Sequence, residues 1–367
     1  MNLSQPEKML LALLRAAIHQ QEVDTVDFQQ ITEQDWLKCY LLALHQGVLS
    51  LAWDGVKRLQ IKYYPPLNVK LSWALHVNEQ VDKYREHCLA VNKLIKLLSQ
   101  HGIATLVLKG VGLSRFYPVP AYREGGDIDI YTYSANKMLM TDVEANRLAD
   151  AIVLKQGAIM DDSPSKKHSK FSLYGVTFEN HKMFLHEAEC QAIIKAEQWL
   201  QKHISIQKVE LLGGECSIDV PTIAFDSVFL PLHAAQHYGM GLSLKHLCDL
   251  TMFVLQNGVV LPSELDDKYL KQTITAFTQL CNKYLGLEMP LGKDCRLTNE
   301  MIHEILRPPY YGKRAPEGIC KQYLFQLRNR IHIFMLKHRL LGVSFWGKIR
   351  GLCVRKIKEY TCLHKNK

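Results

Sequence analysis

Two aspartates stand two residues apart in Gly125-Gly126-Asp127-Ile128-Asp129-Ile130-Tyr131. On an extended strand that spacing sends both carboxylates to one face and Ile128 and Ile130 to the other. Like charges held that close repel one another, so the pair predicts a cation between them. Hard oxygen ligands suit Mg2+ or Mn2+, which commonly take substrate phosphate oxygens as well. A glycine pair before an aspartate is also an ordinary turn, so the reading draws weight from its neighbours.

Those neighbours carry complementary chemistry. Upstream, Leu106-Val107-Leu108-Lys109-Gly110 reads as a strand entering a short helix, whose free N–H groups could hold phosphate. Arg123 is either a surface loop charge or a triphosphate clamp. Downstream, Val176-Thr177-Phe178-Glu179-Asn180-His181 offers a third carboxylate, with Thr177, Glu179 and His181 on one strand face. Asp219, in the strand-like Cys216-Ser217-Ile218-Asp219-Val220, is the rival for that role. His233 and His237 have the helical spacing of a zinc pair, but Ala-Ala-Gln lies between them with no glutamate base, so packing is the expected role. Asp249, on the following helix, is a candidate acceptor for one of these histidines.

The elements that must position these groups follow from periodicity. Residues 1–99 read as a helical region, broken near Tyr64, Pro65 and Pro66. Residues 100–224 form the mixed core. Its expected elements are a strand at Thr105 to Leu108, a short helix to about Tyr117, a strand from Asp127 to Tyr133 and a helix from Thr141 to Gln156. Two further strands, Lys170 to Tyr174 and Val176 to His181, meet at a turn near Gly175. Residues 225–367 return to helical period, with Pro308 and Pro309 marking a loop and a basic tail at the end. The fold class expected is α+β, a mixed sheet flanked by helices.

Four segments resemble a known family. Leu108-Lys109-Gly110, then Arg123 with Gly126-Asp127-Ile128-Asp129-Ile130, then Phe178-Glu179-Asn180-His181, and finally Leu232 to His237 with Leu247-Cys248-Asp249-Leu250 are similar in order and spacing to the uncharacterised nucleotidyltransferases of bacteria. That group lies within the superfamily with a DNA polymerase β-type palm. The resemblance spans residues 106 to 250. It implies that Asp127, Asp129 and Glu179 bind Mg2+ or Mn2+ and are catalytic. It also implies that Lys109, Gly110, Arg123 and Gly126 bind the nucleoside triphosphate. The implied reaction is in-line attack of an acceptor hydroxyl on the α-phosphate, with loss of pyrophosphate. Lys109 departs from the glycine that many relatives place before a serine, and its ammonium could replace the missing hydroxyl contact.

Composition bounds the partners. The chain of 367 residues is 47% hydrophobic and carries a formal charge of +9. Residues 337–367 hold nine lysines or arginines against the single acid Glu359. Such a tail could make weak contact with RNA or an anionic surface, though a solvated end is its commoner meaning. Met1 to Lys8 has no basic-then-apolar leader, no stretch approaches the roughly 18 apolar residues of a membrane span, and the scattered cysteines form no CxxC pair. A cytoplasmic protein is expected. The acceptor could be a small molecule, a glycan precursor or a protein. Two other functions compete: a nucleotide-binding sensor without turnover, and an RNA-directed transferase that uses the basic tail.

Overall fold

The computed structural model describes residues 3–161, 167–185, 190–259, 261–289, 297–307 and 319–343; within 319–330 only the side chain of Arg328 is described. The loop at Pro308–Pro309 and the tail beyond Val343 lie outside the described residues. Four helices come first: α1 (Gln5–His19), α2 (Glu33–His45), α3 (Leu49–Lys57) and α4 (Leu67–Ser99). Pro65 and Pro66 end the preceding segment, and Pro66 is the cap from which α4 starts.

The middle of the chain alternates strands and helices. In order come β1 (Ile103–Val107), β2 (Ile128–Ser134), α5 (Asp142–Lys155), β3 (Ile159–Met160), β4 (His168–Leu173), β5 (Val176–His181), α6 (Gln191–Lys202), β6 (Ile206–Leu211) and β7 (Cys216–Pro221). Among the described residues these strands form one mixed sheet of order β3-β4-β5-β2-β1-β7-β6. β2 runs parallel to β5 and β1 parallel to β7, while the other neighbours are antiparallel. The rest is helical: α7 (Ile223–His237), α8 (Leu244–Asn257), α9 (Lys268–Leu285), α10 (Leu297–Leu306) and α11 (Ile319–Leu341). This is an α+β fold, as expected.

Local chemistry explains the key boundaries. Thr141 and Glu144 form a reciprocal capping box that starts α5. The β4–β5 hairpin turns on Tyr174 and Gly175, both at positive φ (56° and 78°), as a two-residue connection between right-twisted strands requires. Gly110, at φ +61°, turns the chain out of β1 into a seven-residue 3-10 helix, Gly110–Phe116, where the sequence suggested a short helix. Gly112 inside it packs so closely that a Cβ would lie 3.1 Å from the Val107 carbonyl oxygen.

The sheet's two faces enter different cores. Ile128, Ile130 and Phe178, all fully buried, meet Val91, Leu94 and Leu98 of α4 and Ala149 and Val153 of α5. Burial of each large side chain contributes about 1.5–3 kcal/mol, which fixes β2 and β5 with their acidic residues on the opposite face. Behind that face lies a larger core, where Leu106, Leu108 and Tyr131 join α7, α8 and the N-terminal helices. Helices from both ends of the chain therefore share one core. Gln46 ties them together, donating to the Ile305 carbonyl (2.9 Å) and accepting from the Leu244 N–H (2.8 Å).

Candidate active site

The acidic face is built by register. Asp127 precedes β2 by one residue, and Asp129 lies directly opposite Glu179 on the parallel strand β5. Lys170 of β4 lies opposite Glu179 on its other side, and His168 opposite His181. A buried polar cluster holds β2, β5 and α5 together on the other face: Asn146 donates to Thr132, to Asn180 and to the His181 carbonyl, at 3.0–3.1 Å. Asp219 sits elsewhere. It is the register partner of Leu106, so β1 lies between it and β2, about 10 Å away at two strand spacings. The sheet thus brings Glu179, and not Asp219, beside Asp129.

Each carboxylate meets cationic or imidazole groups of the chain itself. Asp129 Oδ1 lies 3.0 Å from Lys109 Nζ and 2.9 Å from His181 Nε2. Burial alone would raise the Asp129 pKa, but Lys109 and His181 outweigh it and hold the carboxyl far below its ordinary value. Lys170 bonds Asp127 and lies 3.5 Å from Glu179 Oε1. Glu179 moves the other way, because burial and the charge of Asp129 raise its pKa against the pull of His181 and Lys170. Burial, then Lys109, lowers Lys167 to about 8. The positive charge that the aspartate spacing demands is present here as ammonium groups.

Lys109 has a second partner that sequence did not suggest. Its Nζ lies 2.8 Å from His233 Nε2, and burial keeps that imidazole neutral, so the ammonium donates to it. His237 lies 3.3 Å from the same nitrogen, and His246 of α8 completes a cluster whose ligand atoms are within 4.8 Å of one another. These rings are engaged in hydrogen bonds: His233 accepts from Lys109, and His246 Nδ1 accepts the Ser243 N–H at 3.2 Å. Lys109 is therefore held between His233 and Asp129.

Asp249 differs from the sequence expectation, and of the two alternatives for Arg123 its burial removes the surface charge. Among the described residues Asp249 bonds no histidine; it accepts Arg123 Nε (3.1 Å), Arg123 Nη2 (2.7 Å) and the Tyr117 hydroxyl (2.7 Å). Arg123 is 7% exposed and so is not a surface charge. Two of its nitrogens pin the loop before Gly125 to α8, because a buried guanidinium needs a bidentate partner. The third nitrogen, Nη1, faces the site, 4.0 Å from where a Cβ on Gly110 or Gly125 would lie. At Gly126 a Cβ would meet nothing within 4 Å, so the space beside Asp127 is open. Lys167, His168, Lys170 and His246 were not singled out from sequence. For Lys170 and His168 the signal existed, since the Tyr174–Gly175 turn fixes their pairing with Glu179 and His181.

A mixed sheet that presents acids from adjoining parallel strands, backed by helices, defines a nucleotidyltransferase-type α+β fold. The chain belongs to the uncharacterised nucleotidyltransferase family, whose model matches residues 32–285. Membership supports nucleotidyl transfer as the general activity. No curated protein and no solved structure matches the chain. Among the described residues no helix is long and apolar enough to cross a membrane.

Proposed function

We propose that this protein is a cytoplasmic, Mg2+- or Mn2+-dependent enzyme that moves a nucleoside monophosphate from a nucleoside triphosphate to an acceptor hydroxyl. The register of Asp129 against Glu179, with Asp127 two residues earlier, carries the reading. Three carboxylates on one sheet face fit a divalent cation, and Asp127, Asp129 and Glu179 would hold it. Such an ion supplies neutralisation of the charge that grows on the transferring phosphate.

The remaining work falls to side chains. Lys109, Lys167 and Lys170 surround the acids and would pair with the triphosphate, together with Arg123 Nη1 and the backbone at Gly110 and Gly126. Glu179, with its raised pKa, is suited to take the proton of the acceptor hydroxyl. Nucleotide binding without turnover is the second reading, and it is favoured by the ion pairs that Lys109 and Lys170 already make with these acids.

Incubation with each nucleoside triphosphate, labelled separately at the α- and γ-phosphates, with Mg2+ or Mn2+ and cell extract, tests the proposal. α-Label should appear on an acceptor as pyrophosphate is released. Transfer of γ-label instead would overturn the assigned reaction, and tight binding without transfer would favour the second reading.

A further inference from the structure

His181 is fully buried at the end of β5, and both of its ring nitrogens face oxygen. Nδ1 lies 3.2 Å from the Met183 carbonyl, which can only accept, so this nitrogen carries the hydrogen. Nε2 then faces Asp129 Oδ1, 2.9 Å away, and lies 3.8 Å from Glu179 Oε2. That contact needs a proton or a metal ion between the two atoms: a proton on Nε2 makes the hydrogen bond that helps hold the Asp129 carboxyl low, and a divalent ion can take the proton's place. Two adjacent ligands on one ion, each about 2.1 Å from it and at a right angle, are separated by about 3.0 Å. His168 adds a second imidazole: its Nε2 is 3.7 Å from Glu179 Oε1, and the ligand atoms of His168, Glu179 and His181 all fall within 4.8 Å of one another.

We infer that His181, through Nε2, is a metal ligand alongside Asp129 and Glu179, and that this mixed nitrogen and oxygen site takes first-row transition ions, with Mn2+ as the spectroscopic probe, in preference to Mg2+. The inference rests on the carboxylate site proposed above and adds a nitrogen donor to it. Imidazole suits first-row transition ions, whereas Mg2+ favours oxygen and retains water. The Met183 carbonyl does for His181 what partners of metal-bound histidines generally do, fixing which nitrogen is free and where it points. Asp129 and Glu179 come from adjacent strands in register and His168 from the next strand across, so the hairpin that pairs His168 with His181 also assembles the donor set.

The test uses the full-length protein and Mn2+ alone. Pulsed electron paramagnetic resonance of the Mn2+-loaded wild type should show coupling to a histidine 14N, converted to the 15N pattern when histidine is labelled. His181→Gln should lose that coupling, and His237→Gln, altering the separate cluster on α7, should keep it. Competition between the ions should show Mn2+ bound at least about ten-fold more tightly than Mg2+, with the preference reduced to about three-fold or less in His181→Gln. Bound Mn2+ without histidine coupling, or with coupling that survives His181→Gln, would overturn the inference while leaving the carboxylate site standing. Failure of both ions to bind wild type, with or without a nucleoside triphosphate, would remove both. Where His181→Gln fails to fold, His181→Asn takes its place, and a wild-type spectrum without histidine coupling overturns the inference by itself.

Discussion

Removing Asp249 should cost the protein much of its stability. Its carboxylate takes two hydrogen bonds from the Arg123 guanidinium and one from Tyr117, and the Arg123 side chain is only 6% exposed. Asp249→Ala leaves a buried positive charge without its partner, at about 3–5 kcal/mol, with the stranded Tyr117 hydroxyl included in that range. Against a typical total of about 5–15 kcal/mol the loss is severe. A triple variant, Arg123→Met with Asp249→Leu and Tyr117→Phe, removes charge and polar groups together and should cost no more than about 2 kcal/mol, because no group remains unpaired. Urea unfolding followed by tryptophan fluorescence compares the two through their midpoints and slopes. If Asp249→Ala costs under about 1 kcal/mol, or the triple variant is the less stable of the two, the guanidinium is not held as described.

Other expectations concern the site. Glu179→Gln should leave nucleotide affinity nearly unchanged and lower transfer by about 100-fold or more, as loss of a positioned base does; Asp219→Asn should change neither affinity nor transfer, and steady-state kinetics of both variants checks the pair. Gly110→Val places a β-branched side chain at φ +61°, where an L-residue is strained by about 1–2 kcal/mol, so it should weaken nucleotide binding and lower the melting temperature together; calorimetry and thermal unfolding read the two effects. Lys167 is charged below about pH 8 and neutral above it. An anion it contacts therefore binds best below that pH, and triphosphate affinity should fall by about ten-fold as pH rises through 8 and beyond. Lys167→Met should bind weakly throughout and flatten that dependence in isothermal titration.

Part of this site was legible in the sequence because its signals are local. The two-residue spacing of Asp127 and Asp129 sets their common face, Ile128 and Ile130 report the buried side, and the run of good helix formers from Thr141 marks α5. The pairing of Lys170 with Glu179 needed one further step, counting back from the Tyr174–Gly175 turn. Other features depend on contacts far apart in the chain. Arg123 and Asp249 are 126 residues apart, and neither residue's surroundings in sequence reveal the other. The parallel pairing of β2 with β5 likewise depends on topology. β6 escaped notice for a different reason: it is an edge strand, largely exposed, so it lacks the apolar alternation that marks a strand. The short helix after Lys109 was expected, but its 3-10 form follows from Gly110 and from packing of Gly112 against β1 and β7.

The central claim is that the acids before and within β2 form a site for a divalent ion and a nucleoside triphosphate. Isothermal titration of the folded Asp127→Asn, Asp129→Asn double variant with a nucleoside triphosphate and Mg2+ or Mn2+, beside wild type, tests it most directly. Wild type should bind metal and nucleotide together, and the double variant should lose metal binding under the same conditions. Equal affinity for metal and nucleotide in the two proteins would contradict the account and place the site elsewhere on the chain.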